Sequence, residues 1–285
     1  VNPFFVTGRI PAAYFCDRVV ESKVLSQALL SQMNVVVTSP RRMGKTALVD
    51  FVFQQEVIQK DYFTIDVDIL HTTCFKEFIY ALGTAAYDKI ASRSDKMKRL
   101  FIATLRSLSA SFGYDPIQNT PTFDIKLGDI TTPDYTLREI FNFMEQADKR
   151  CLVVIDEFQQ ITKYPEKNIE AVLRSYIQKM SNANFVFAGS QRTVLEEMFL
   201  SSRRPFFQSA KLMQLDAIEL SVYQDFVVGH FREGGKDINP EAVEVAYRSF
   251  RGVTLYMQRV MKDAYATTPQ GATCDERLVE QLIDD

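Results

Sequence analysis

The chain has 285 residues, 46% of them hydrophobic and 24% charged, with a formal net charge of −3 and a pI of about 5.6. That length suits a large core in about two domains, the composition excludes a disordered chain, and the slight acidity withholds the overall basic field that would by itself point to nucleic acid. The cysteines, Cys16, Cys74, Cys151 and Cys274, form no CxxC pair, which argues against zinc and against a disulfide framework and suits a reducing cytoplasm. No apolar run approaches the roughly 18 residues of a membrane span, and the start at Val1 shows neither a charged n-region nor an h-region; the missing initiator Met predicts a trimmed or truncated start.

In chain order, an apolar run at 34–38 predicts the first strand and helical spacing at 46–59 the helix after it. A strand at 62–68 and a helix at 75–91 follow, then a break from 95 to 134, where a basic amphipathic helix at 96–108 precedes a hairpin turning near Gly128. Beyond it come a helix at 136–149, a strand at 151–155, a helix at 168–180, a strand at 184–188, a helix at 194–200 and a strand at 211–215. All the strands except 62–68 lack a polar face, as in a parallel sheet buried on both sides, and their alternation with helices predicts an α/β fold with a five-stranded parallel sheet. After 215 the strands stop, and helices at 222–232, 240–250 and 254–266 predict a small helical lid. The expected division is a core domain at 1–217, carrying the insertion, and a lid at 218–285.

"SPRRMGKTAL", residues 39–48, lies between the first strand and its helix. A phosphate-binding loop needs G-x-x-x-x-G-K-[ST] in that place, because the backbone N–H groups of the turn and of the helix start form an anion cradle. Gly44, Lys45 and Thr46 match. Ser39 stands where the first glycine belongs, with Pro40 able to fix its backbone. An ordinary basic turn is the alternative, but three cations at a helix N-terminus, Arg41, Arg42 and Lys45, are unfavourable unless an anion is present. Ser39, Pro40, Arg41, Arg42, Met43, Gly44, Lys45, Thr46 and Ala47 are therefore expected around a nucleotide, with Lys45 reaching the β- and γ-phosphates and the Thr46 hydroxyl ligating Mg²⁺.

"CLVVIDEFQQI", 151–161, is an apolar strand ending in two carboxylates. Asp156 would hold the Mg²⁺ shell, and Glu157 would orient or deprotonate an attacking water. The alternative is an Asp-Glu pair that caps the next helix; a phosphate loop upstream favours the functional reading.

These two stretches, with "FVFAGS" at 185–190, resemble the prokaryotic ATPases often called archaeal-type, a branch of the AAA+ superfamily near the origin-recognition and STAND groups. "NPF" at 2–4, "YFCDRVVESKVLSQAL" at 14–29 and "SSRRPFFQSAKLMQLDAI" at 201–218 are similar to other stretches of that family, so the resemblance runs from residue 2 to about 260. It implies an ATP/ADP- and Mg²⁺-binding ATPase that is cytoplasmic and a candidate homo-oligomer. Phe4, Phe15 and Arg18 would lie on the adenine side, with core packing the alternative for both phenylalanines. Ser190 falls at the sensor position that helps orient the lytic water. Arg203 and Arg204 stand where the superfamily places an arginine finger, or else in a solvated basic loop. "RGVTLYMQRV" at 251–260 is similar to a lid segment with Thr254 in place of Pro, where Arg251 or Arg259 is either a sensor arginine or a structural one. Such proteins commonly continue into a C-terminal region that selects a protein or DNA partner, and this chain stops at Asp285.

Arg93, Lys96, Lys98, Arg99 and Arg106 give the insertion a basic stripe, read either as a contact for phosphate backbone or partner protein or as the solvated face of its helix. His71 and His230 have no neighbours at metal-ligand spacing. Two functions stay open: an Mg²⁺-dependent ATPase that remodels or moves a partner, and a STAND-like nucleotide switch with negligible turnover, in a DNA-associated or defence setting.

Overall fold

The computed structural model describes residues 2–8, 10–115 and 120–284. In chain order the elements are α1 (Val19–Leu30), β1 (Val35–Thr38), α2 (Lys45–Phe53), α3 (Glu56–Asp61), β2 (Tyr62–Asp68), α4 (Phe75–Lys89), α5 (Asp95–Thr104), β3 (Phe112–Asp115), β4 (Thr120–Phe123) and α6 (Pro133–Glu145). They continue with β5 (Arg150–Asp156), α7 (Ile169–Ile177), β6 (Ala183–Gly189), α8 (Arg192–Leu200), β7 (Lys211–Gln214), α9 (Leu220–Glu233), β8 (Asp237–Ile238), α10 (Pro240–Phe250), α11 (Thr254–Thr267), β9 (Thr273–Cys274) and α12 (Glu276–Asp284). They gather into two compact units. One comprises Val1–Val24, Ser39–Val52 and Gln214–Asp285; the other comprises Leu25–Thr38 and Phe53–Met213.

The second unit is built on a five-stranded sheet in the order β2-β5-β6-β1-β7. β2 pairs parallel to β5, β5 to β6 and β6 to β1. β1 and β6 are buried at every position, as a strand covered on both faces must be, and β2, the run with a polar face, is an edge strand. Helices cover the sheet through apolar stripes such as Phe78, Ile79, Leu82 and Ala86 of α4 and Leu137, Ile140, Phe141 and Met144 of α6. Where β5 and β6 end, Phe158, Phe187, Phe199 and Phe206 pack with ring centroids 4.6–6.0 Å apart. That cluster anchors the turn after β5.

The expected helix at 46–59 is two helices. Gln55 takes an extended conformation between them, and its side-chain oxygen accepts from Ser26 Oγ at 2.8 Å. The basic helix ends at Thr104 and passes into a 3₁₀ segment, Arg106–Ser111. The hairpin does not turn at Gly128. β3 and β4 pair antiparallel, their connection lies outside the described residues, and Gly128 sits beyond β4 in a 3₁₀ turn whose Asp129 carboxylate accepts from the Lys126 N–H.

The first unit packs α9, α10, α11 and α12 around one core. The expected three helices are four, and the strands do not stop at 215, because β8 and β9 form a two-residue parallel pair. Phe4 is 1% exposed and meets Phe226, Phe231 and Tyr265 at centroid distances of 6.0, 5.8 and 6.0 Å, so its alternative is settled as core packing. Between α10 and α11 the chain turns on Arg251 (φ 50°) and Gly252 (φ 71°). A Cβ on Gly252 would come within 2.7 Å of Ala217 Cβ. Gly252→Ala therefore combines a left-handed backbone with a clash, and a loss of ~1–3 kcal/mol is expected in thermal or urea unfolding. A midpoint unchanged by the substitution would show that the turn relaxes freely.

Candidate active site

In the first unit the loop 39–44 runs into α2. Ser39 is 2% exposed, and its hydroxyl donates to the Pro40 carbonyl at 3.0 Å, so the residue in the glycine position is fixed locally. Arg42 (φ 69°) and Gly44 (φ 87°) are left-handed. A Cβ on Gly44 would meet nothing within 4 Å, so the backbone angle rather than crowding calls for glycine. α2 opens directly on Lys45, which is 7% exposed, with Thr46 exposed beside it. A buried lysine at a helix start, with Arg41 and Arg42 before it, is a donor set suited to a polyphosphate.

Three side chains brace this loop. Arg18 is 5% exposed; its Nη2 donates to the Asp216 carbonyl at 2.6 Å and, at a long 3.5 Å, to the Met43 carbonyl, while Nη1 meets Glu21 Oε1 at 2.8 Å. Its guanidinium therefore serves backbone carbonyls and a carboxylate of its own unit. Thr254 Oγ1 also reaches the Met43 carbonyl at 3.5 Å, and the Leu255 N–H donates to the Arg42 carbonyl at 3.0 Å. The Arg42 guanidinium lies 5.0 Å from the centre of the Tyr256 ring. The segment "RGVTLYMQ" thus seats the phosphate loop through Thr254, Leu255 and Tyr256, while Arg251 and Arg259 are exposed. Phe15 stacks on Phe51 of α2, with centroids 4.2 Å apart and planes 4° from parallel.

In the second unit the strand ends at Thr38, Asp156 and Gly189 lie at one edge of the sheet, where Thr38 is in register with Gly189 and Ile155 with Phe187. Open parallel sheets bind ligands at the carboxyl ends of their strands. Asp156 Oδ1 accepts the Glu157 N–H at 2.8 Å. Glu157 itself is left-handed (φ 56°, ψ 39°), a conformation that costs a non-glycine residue about 1 kcal/mol or more. Its side chain makes no cap to the 3₁₀ segment Phe158–Lys163. Its Oε2 instead accepts from Ser190 Oγ at 2.8 Å and from Gln159 Nε2 at 2.6 Å.

The two finger candidates separate. Arg204 is paired within the chain to Glu170 of α7 at 2.6 Å, with Glu197 of α8 at 3.8 Å, and burial holds the Glu170 carboxyl above the ordinary range despite that arginine. Arg203 is exposed. On α5, Met97 and Phe101 are buried while Lys96 and Arg99 are exposed, with Lys96 3.7 Å from Asp148. The cysteines are free thiols, and burial pushes those of Cys16 and Cys151 up to about 12, which removes them as nucleophiles near neutral pH. No group of three His, Cys, Asp or Glu among the described residues forms a metal cage. Mg²⁺ on a nucleotide needs only one or two protein ligands beside the phosphates, so the absence of such a cage does not bear on it. No helix of the described residues is long and apolar enough to cross a membrane.

The sheet order, the loop before α2 and the acidic strand end together define a P-loop ATPase of the AAA+ type. The profile of an ATPase domain family found predominantly in Archaea matches residues 15–260, and the chain belongs to that family. It is an ATP-hydrolysing P-loop enzyme. Among solved structures, a Walker-type ATPase of Pyrococcus abyssi aligns over 99% of this chain and 75% of its own, at 15% identity and TM-score 0.68. The Aeropyrum pernix ORC2 protein, solved in ADPNP–ADP complexes, aligns over 100% and 71%, at 14% identity and TM-score 0.63. The Thermotoga maritima RuvB Holliday junction branch migration motor aligns over 96% and 70%, at 16% identity and TM-score 0.52. At these identities the likeness is one of fold. A sequence comparison with curated proteins found no match.

Arg18 was expected beside the base; its observed contacts make it a brace of the loop. Arg18→Ala should cost ~1.5–3 kcal/mol, the range for hydrogen bonds from a charged donor, and should weaken ATP-analogue binding. Lys, a point charge without the fork, should recover only part of both. If unfolding and nucleotide titration were both unmoved by Arg18→Ala, the loop would stand without it.

Proposed function

We propose that the chain is an Mg²⁺-dependent ATPase of the cytoplasm whose cycle changes its conformation to move or remodel a partner. The observation that carries this is the loop before α2: two left-handed residues followed at once by Lys45, buried at the helix start. Ser39 to Ala47 hold the phosphates in this reading, with Lys45 as the charge on the β- and γ-phosphates and Phe15 on the base side. Thr46 and Asp156 hold Mg²⁺, which supplies neutralisation of developing phosphate charge. Glu157 takes the proton of the attacking water or orients it, and Ser190, already bonded to Glu157, helps to set the carboxylate's direction. Arg203, exposed, is the better candidate for a finger offered to a second copy, since Arg204 is held by Glu170. The likeness to a branch migration motor supports mechanical use of the cycle on a protein or DNA partner. The cis pairing of Arg204 favours a second reading, a nucleotide switch that turns over slowly, because it leaves one of the two finger candidates committed.

Lys45→Ala should abolish or strongly weaken binding of an ATP analogue in calorimetry; binding as tight as in the parent would refute the cradle. Glu157→Gln should keep nucleotide bound while slowing hydrolysis by about 10²–10⁴, whereas Asp156→Asn should weaken the Mg²⁺-dependent part of the affinity. Equal losses of affinity in both would collapse the separate roles. For the finger, specific activity should rise with protein concentration, and Arg203→Ala should remove the rise with ATP affinity intact. Mixing Arg203→Ala with Glu157→Gln protein should restore turnover if the finger acts in trans; a mixture as slow as its components would favour the switch.

A further inference from the structure

Gln159 follows the acidic pair by two residues and carries no role in the motif. Its side chain is 2% exposed, and its Nε2 donates to Glu157 Oε2 at 2.6 Å, the same oxygen that accepts from Ser190 Oγ at 2.8 Å. The other end of the amide behaves differently. Gln159 Oε1 is buried and meets no donor among the described residues. It lies against Gly189, where a Cβ would come 2.0 Å from it, and Leu195 Cδ1 would stand 2.7 Å from that same Cβ. A glutamine buried for packing alone satisfies both ends of its amide. This one gives its donor end to a carboxylate, and turning the amide over would set oxygen against oxygen.

From this geometry we infer that Gln159 is a positioning residue for hydrolysis: with Ser190 it clamps one oxygen of Glu157 and so sets the direction of the carboxylate that acts on water. The inference rests on the assignment of Glu157 as the water-directing group. Gly189 belongs to the same device, since only a residue without a side chain lets the amide lie there. Backbone contacts hold the clamp in place, with Thr162 Oγ1 donating to the Gln159 carbonyl at 2.8 Å and the Gln160 N–H donating to the Glu157 carbonyl at 2.8 Å. Glu157 is held in its left-handed conformation between the Asp156 carboxylate at its N–H and this clamp at its side chain.

The test is a cycle of substitutions in single-turnover hydrolysis, with protein in excess over ATP. Gln159→Met keeps the length and bulk of the side chain and removes the donor; it should slow hydrolysis about 10–100-fold with ATP-analogue affinity and unfolding midpoint unchanged. Gln159→Glu, the same shape without a donor when ionised, should lose at least as much. In a Glu157→Gln background the carboxylate is gone, so adding Gln159→Met should cost less than twofold more; losses that multiply would show that Gln159 acts by packing and overturn the inference. A variant that loses affinity or folding together with rate overturns it in the same way, and so does a Gln159→Met protein as fast as the parent while Glu157→Gln is slow. If Glu157→Gln itself hydrolyses at the parental rate, the assignment of Glu157 fails first and the clamp has nothing to position.

Discussion

Three cations crowd the start of a helix whose own dipole repels them. Arg41, Arg42 and Lys45 sit within five residues, the last of them buried, at the end of α2 where aligned N–H groups already point outward. A protein with no use for that arrangement would replace it with a carboxylate or a capping hydroxyl, either of which stabilises a helix start. Retaining it makes sense when a polyanion completes the structure, and the loop's other costs follow from the same need. Left-handed backbone at Arg42 and Gly44 opens the turn, and the carbonyls that this geometry turns outward are then taken up by Arg18, Thr254 and Leu255.

Those acceptors tie the loop to parts of the chain far away in sequence but within the same compact unit. Leu255 and Tyr256 belong to α11, so the first turn of a lid helix reads the backbone of the phosphate loop directly, through one N–H and one aromatic ring. A nucleotide that shifts Arg42 would alter the bond to Leu255 and the ring contact together. This is a short route from phosphate occupancy to the helical bundle, and it involves no new element. The Asp216 carbonyl, held by Arg18, adds a second route at the chain's entry to that bundle.

β1, β5 and β6 were legible because burial on both faces leaves an unbroken apolar run, and β2 announced its edge position by its polar face; β7, the other edge strand, is exposed at Lys211 although its run lacks a clear polar face. Gly44, Lys45, Thr46, Asp156 and Glu157 could be singled out as candidates because each has a fixed offset from a strand end. The supporting contacts were not. Arg18 bonds to a carbonyl 198 residues away, and backbone carbonyls have no sequence signature. Gln159 stood beside the acidic pair in plain view, yet its role depends on Gly189 in another strand. The pairing of Arg204 with Glu170 was hidden for the same reason, since two side chains on separate elements share no spacing. The turn of the hairpin was not legible, because the glycine that signals one in the sequence, Gly128, sits beyond β4 in a 3₁₀ turn without a left-handed angle.

Strain and support coincide in both units. The residues held in left-handed backbone without being glycine include Arg18, Arg42, Glu157 and Arg251, and all four lie in motifs expected to handle the nucleotide or its lid. Such conformations persist only where surrounding contacts over-determine them. Around Arg42 those contacts come from α11; around Glu157 they come from Asp156, Gln159 and Ser190. The common feature is that hydrogen bonds take part in opposing the strain. Hydrogen bonds to a carbonyl or carboxylate can be exchanged for bonds to a phosphate or a water at little net cost, whereas a packed side chain cannot be moved without opening a cavity. Residues supported in this way can change their partners during a reaction cycle while the apolar packing of each unit stays as it is.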